Sequence, residues 1–100
     1  MNIIEILPPA QRYLKKIKDK RLSEIFDECI EKIRLNPLEV GEEKVGDLKG
    51  FYTYNFRYQK VGYRIGYRVK ENEDGTLTII IMIGKRENFY SDFKNYLNSL

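Results

Sequence analysis

The sequence predicts an α+β fold: a first strand, an α-helical hairpin, a three-stranded antiparallel meander and a C-terminal helix, with helices on one face of the sheet. Three observations predict it. Apolar residues recur at helical spacing between Ala10 and Ile33. Two runs between Phe51 and Lys70 alternate in side-chain character, as strands with one buried face do. A third run, Leu77 to Ile83, is almost wholly aliphatic and β-branched, which suits an interior strand covered on both sides. One hundred residues is the length of one domain, and such a chain buries roughly two-thirds of its unfolded surface. Residues 1–100 are therefore expected to form a single domain.

Each element has a local cause. Asn2 to Leu7 is a short apolar strand, ended by Pro8-Pro9. Proline fits the first turn of a helix, and Ala10, Tyr13, Leu14 and Ile17 follow on one face. Asp19-Lys20-Arg21 links this helix to a second, striped by Leu22, Ile25, Phe26, Cys29, Ile30 and Ile33. Asn36-Pro37 ends it, because a residue before proline avoids the α region. Residues 37–50 carry three glycines and read as a loop. In the strand from Phe51, Tyr52, Tyr54, Phe56 and Tyr58 share one face, and Thr53, Asn55 and Arg57 the other. Gln59 to Gly62 reads as a turn, and Asp74-Gly75 as a hairpin signal before the third strand. Phe89, Phe93, Tyr96, Leu97 and Leu100 mark an amphipathic C-terminal helix. The apolar strand faces should receive the helix hairpin. The opposite face should present Asn55, Arg57, Arg64 and Arg68.

Composition removes several chemistries. The chain has no histidine and one cysteine, Cys29. An internal disulfide, a Cys/His zinc site and a histidine general base are all ruled out. No metal and no cofactor are expected. No secretory signal pattern opens the sequence and no apolar run reaches spanning length, so no membrane association and a cytoplasmic location are expected.

Charge is unevenly placed. Residues 1–50 hold ten basic and ten acidic side chains, whereas 51–100 hold eight and five, so the net +3 lies in the second half. Between 44 and 70, Lys44, Lys49, Arg57, Lys60, Arg64, Arg68 and Lys70 face only Asp47. That local excess is the footprint of a polyanion. Arg57 and Arg64 should point to the same side of adjacent strands. Gly84-Lys85-Arg86 ends the aliphatic strand with two cations, and Arg86 and Tyr90 are four apart, which brings them together on a helix. Lys44 and Lys49 lead into the sheet.

Such a set suits RNA cleavage by the RNA's own 2′-hydroxyl. Arginine forks match phosphate oxygens and stay charged. Tyrosine can stack on a base or move a proton once nearby cations lower its pKa. The bland alternatives concern other residues. Tyr52, Tyr54, Tyr58, Tyr63 and Tyr67 fall on the face expected to be buried and read as packing. Cys29 lies on the apolar stripe of its helix and reads as core. Glu24, Asp27, Glu28 and Glu31 read as that helix's solvated face.

Four phrases carry a family resemblance: Pro9-Ala10-Gln11-Arg12-Tyr13-Leu14-Lys15-Lys16-Ile17; Lys44-Val45-Gly46-Asp47-Leu48-Lys49-Gly50-Phe51-Tyr52; Gly62-Tyr63-Arg64-Ile65-Gly66-Tyr67; and Ile83-Gly84-Lys85-Arg86-Glu87-Asn88-Phe89-Tyr90. In this order they resemble the RelE/ParE superfamily of toxins from type II toxin–antitoxin systems, over nearly the whole chain. The resemblance implies a microbial-ribonuclease-like fold and metal-independent, ribosome-dependent cleavage of mRNA in the A site. It implies a cognate antitoxin, mRNA on the ribosome and 16S ribosomal RNA as partners. The family's site residues map onto Arg57, Arg64, Arg86 and Tyr90, with Lys44, Lys49, Asn55, Lys85 and Arg68 as RNA-binding candidates. Asn55 stands where the best-known pattern has a second basic residue, so the general base is unassigned. Two other readings share the fold: a gyrase inhibitor of the ParE type, and a non-enzymatic or degenerate toxin that only binds an antitoxin.

Overall fold

The computed structural model describes residues 2–44, 50–84 and Asn95. Its elements are β1 (Ile3–Ile6), α1 (Pro8–Lys15), α2 (Lys20–Leu35), α3 (Pro37–Val40), β2 (Glu42–Glu43), β3 (Phe51–Tyr58), β4 (Val61–Glu71) and β5 (Leu77–Gly84). They make one mixed sheet in the order β1-β5-β4-β3-β2. β3, β4 and β5 form the expected antiparallel meander. The expected C-terminal helix lies outside the described residues, save Asn95, which is helical.

The α+β class and the first strand hold, and two local readings, the loop and the turn, are corrected. The stretch read as a loop contains α3 and the two-residue β2, which pairs antiparallel with Thr53 and Tyr52. The first strand pairs in parallel with β5, Ile3 opposite Thr78 and Ile6 opposite Ile81, and widens the sheet beyond the meander. The turn read over Gln59–Gly62 is only Gln59-Lys60. Both residues take positive φ, 49° and 67°, as the two-residue hairpin with a matching twist requires, and Val61 and Gly62 already belong to β4.

Helix boundaries follow local chemistry. Pro8 and Pro9 occupy the opening positions of α1, where a missing N–H costs nothing. Asp19 caps α2: its Oδ1 accepts from the backbone N–H of Arg21 (3.0 Å) and Leu22 (3.2 Å). It also accepts from the Tyr58 hydroxyl at 2.9 Å, which ties the α1–α2 link to the end of β3. The Leu22 N–H first, then the Tyr58 hydroxyl, hold the Asp19 carboxyl below its ordinary pKa. A depressed folded pKa gives stability that is complete above the unfolded value and lost as pH falls through the folded one. Asp19→Asn keeps the capping oxygen and removes that titration. Between about pH 5 and about pH 3 it is expected to lose less Tm than the wild type. An equal loss in both would remove Asp19 from the acid response.

The core lies between the helices and one sheet face. Ala10, Leu22, Phe26, Cys29 and Ile33 meet Ile65, Tyr67, Ile79, Ile81 and Ile83. Cys29 is buried there, as its stripe predicts, while Glu24, Asp27, Glu28 and Glu31 are exposed. The aromatic face of β3 packs inward as expected. Phe26 sits edge-on to Tyr13, Phe56 and Tyr63 at centroid distances of 6.0, 5.0 and 5.6 Å. Tyr52 and Tyr67 stack at 5.3 Å.

Tyr67 also anchors α3. Its buried hydroxyl donates to the Pro37 carbonyl at 2.6 Å, and burial pushes its pKa up to about 12. The same phenol lies against Gly41, where an added Cβ would overlap ring and hydroxyl. Gly41 has φ −98°, so the demand for glycine here is one of space, not of backbone conformation. Gly41→Ala is expected to destabilise by about 1–3 kcal/mol, the usual cost of overpacking, read as a lower denaturation midpoint. An unchanged midpoint would show that Tyr67 yields freely.

Candidate functional site

On the side of the sheet away from the helices, pairing register decides which side chains meet. Asn55 lies opposite Arg64, and Arg57 opposite Gly62. Directly paired residues share a face, as do residues two apart on one strand. Asn55, Arg57 and Arg64 therefore project together, with Arg57 and Arg64 diagonal neighbours. They line an open depression of about 310 Å³ with Phe56, Gly62 and Tyr63. Among the described residues no carboxylate lines it.

Two hydrogen bonds set the guanidinium positions. Arg64 Nε donates to Asn55 Oδ1 at 3.1 Å. Arg57 Nη2 donates to the Lys60 carbonyl at 3.2 Å, so the left-handed hairpin tip turns an acceptor towards the strand that precedes it. Gly62 contributes openness: a Cβ there would meet nothing within 4 Å, and its missing side chain leaves the space beside Arg57 clear. Both guanidinium groups keep their charge at any physiological pH. The arrangement thus favours a phosphate, which guanidinium forks bind in-plane.

The remaining candidates fall into other places. Gly84, the last residue of β5, is opposite Arg64. Lys85 and Arg86 come next in the sequence and, with Tyr90 and Lys49, lie outside the described residues. Arg68 shares the face of Arg64 but stands four residues along β4, roughly 13 Å away at strand rise, with its guanidinium 5.6 Å from the centre of the Phe51 ring. Lys44 is at the same end, its N–H donating to the Phe51 carbonyl at 2.8 Å. The structure therefore gathers Asn55, Arg57 and Arg64 at the hairpin end of this face and sets Arg68 and Lys44 at the other. Between them, Thr53 and Met82 are buried, and Phe51 is buried opposite Arg68. Sequence reasoning missed Phe56, Gly62 and Tyr63 as lining residues. Correct placement of the two-residue hairpin would have found Gly62, because it then pairs with Arg57.

A family model described as the ParE-like toxin of type II bacterial toxin–antitoxin systems matches residues 4–94. The chain belongs to that family. The matched span takes in every candidate site residue of the toxin. The toxin's fold is also found in a solved structure, that of the toxin–antitoxin complex RelBE2 from Mycobacterium tuberculosis. The likeness has a TM-score of 0.60 at 23% identity and covers 85% of this toxin and 98% of that chain. No curated protein matches the sequence. Membership of the RelE/ParE superfamily, expected from four short phrases, is thus supported by the family model over most of the toxin and by its fold. Among the described residues no helix is long and apolar enough to cross a membrane.

Proposed function

We propose that the toxin is an endoribonuclease that cleaves mRNA in the ribosomal A site. The observation that carries this reading is the depression that Arg57, Arg64 and Asn55 line together on one face of the sheet. In the step proposed, the ribose 2′-hydroxyl loses its proton and its oxygen attacks the adjacent phosphorus. The bond to the 5′-oxygen breaks, and that oxygen takes up a proton. The products are a 2′,3′-cyclic phosphate and a 5′-hydroxyl. Arg64 and Arg86 stabilise the phosphate as it gains negative charge, Arg57 orients the backbone, and Tyr90 stacks or takes part in proton transfer. With no histidine in the chain, a tyrosine, a lysine or a group of the ribosome serves as base. Lys44, Lys49, Asn55, Lys85 and Arg68 position the strand. No metal or cofactor enters the step.

The reading places the toxin in the cytoplasm, as a single domain, in contact with 16S ribosomal RNA and held inactive by a cognate antitoxin. Its test is induction of the wild-type chain in cells, followed by mapping of mRNA 5′ ends. New ends within translated codons, dependent on ribosomes, are expected; intact mRNA during growth arrest would remove the reading. Gyrase inhibition is the second reading. It is favoured by the ParE-like description of the matching family and by Asn55 in place of a second strand cation. Inhibition of supercoiling by purified gyrase, with mRNA left whole, is its signature.

A further inference from the structure

The densest run of cations in the chain is not in the second half. Arg12, Lys15, Lys16, Lys18, Lys20 and Arg21 fall within ten residues, with Asp19 the one acid among them. All six are exposed. Arg21 is drawn back onto α2 by Glu24 at 3.3 Å and Glu28 at 3.4 Å. Asp19 already accepts from two backbone amides and the Tyr58 hydroxyl. Lys16 and Lys18 have no carboxylate partner among the described residues.

These two lysines rim a hollow of about 280 Å³ lined also by Tyr13, Ile17, Asp19, Leu22 and Tyr63. Tyr63 lines the Arg57–Arg64 depression as well. The two hollows therefore meet at one residue, on either side of the β3–β4 hairpin. The Tyr58–Asp19 bond fixes the hairpin to the link that carries the lysines. An apolar, aromatic floor with a cationic rim matches the two chemistries of a nucleotide, a flat base and a charged phosphate. Asp19 keeps phosphate away from the α2 end of the hollow and towards Lys16 and Lys18.

We propose that this second hollow is a nucleotide subsite for the same RNA strand that Arg57 and Arg64 engage. Lys16 and Lys18 pair with phosphates flanking the scissile one, and a base rests against Tyr13, Ile17 and Tyr63. The two hollows share the β3–β4 hairpin, the arginines on one face of the sheet and the lysines on the helix side. A strand seated at the arginines meets the lysines by passing round the hairpin, which favours it over a separate acidic protein. The proposal rests on the ribonuclease reading, and its test separates the two.

The probes are fluorescein-labelled single strands of three and of twelve nucleotides with 2′-O-methyl riboses, which cannot be cleaved. Binding is followed by anisotropy across a salt series for the wild type, Lys16→Ala/Lys18→Ala and Arg57→Ala/Arg64→Ala, each checked for an unchanged Tm. The lysine variant is expected to bind the short probe as the wild type does and the long probe about tenfold more weakly. Its slope of log affinity against log salt should be shallower by about 0.7 for each phosphate released. The arginine variant should lose both probes. If the lysine variant holds the long probe with wild-type affinity and slope while the arginine variant loses it, this subsite does not exist and the arginine site stands. Loss of antitoxin affinity in the lysine variant, with RNA binding intact, would equally overturn it, because the surface would then belong to a protein partner. Failure of the wild type to bind either probe would also overturn the subsite, whereas the ribonuclease reading depends on the ribosome and falls only if the map of mRNA ends shows no cleavage.

Discussion

Arg64→Ala is expected to reduce ribosome-dependent mRNA cleavage by about 10²- to 10³-fold, the usual loss when one donor to a developing oxyanion is removed. Arg64 is singled out over Arg57 by its surroundings. It is half-buried, its Nε is held by Asn55, and its register partner Gly84 is the residue after which the chain runs into Lys85 and Arg86. Arg57 is exposed and bonded to the hairpin tip, so Arg57→Ala should cost less. Arg64→Lys should recover only part of the activity, since an ammonium lacks the planar fork. Asn55→Ala should fall between, because it frees the guanidinium it orients without removing the charge. The measurement is the single-turnover cleavage rate on programmed ribosomes, with antitoxin binding as the control for folding. Cleavage at the wild-type rate by Arg64→Ala would eliminate Arg64 from the chemistry.

Phe26→Ala is expected to have the largest effect on stability, about 3–5 kcal/mol. Phe26 is fully buried and is edge-on to three rings, Tyr13 from α1, Phe56 from β3 and Tyr63 from β4. Its removal opens a cavity where both helices and the hairpin meet, and deletes three edge-to-face contacts that add to area burial. A loss of about 4 kcal/mol, with a urea slope near 2 kcal/mol per molar, lowers the midpoint by about 2 M. That is a large share of the total stability of a domain this size. The effect reaches the site as well. Phe56 and Tyr63 stack on each other at 5.3 Å and both line the arginine depression. Phe26→Leu, which fills more of the cavity, should restore most of the midpoint. A shift in midpoint under about 0.5 M for Phe26→Ala would mean that the surrounding rings close over the gap.

What the sequence disclosed, and what it hid, follows from the range of the forces involved. The alternation from Phe51 to Lys70 is a local pattern set by one buried face, and it alone separates the inward tyrosines from the outward Asn55, Arg57 and Arg64. The stripe on α2 did the same for Phe26, Cys29 and Ile33. α3 and β2 were hidden because neither is made by local preference. Four residues are too few for a helix to persist unaided. Glu42-Glu43 has little strand propensity and is extended because Tyr52 and Thr53 offer it a ladder. The hairpin tip misled because Gln59 and Lys60 are not the usual residues for positive φ, and Gly62 drew the turn two places too far. The lysine hollow was hidden by arithmetic: summed over 1–50, the cations of the α1–α2 link cancel against the acidic outer face of α2, although the fold keeps the two apart.

Parallel pairing of β1 with β5 has a consequence for when the toxin can first act. Ile3 waits for Thr78, and Ile6 for Ile81. β4 has β3 beside it earlier, yet its other edge stays open until β5 docks. During synthesis the inner strand, and with it the neighbour that completes the surroundings of Arg64, leaves the ribosome after the other four described strands. A nascent chain therefore carries its arginines in an unfinished sheet. The surroundings of Arg64 are complete only once β5 has taken its place between β1 and β4.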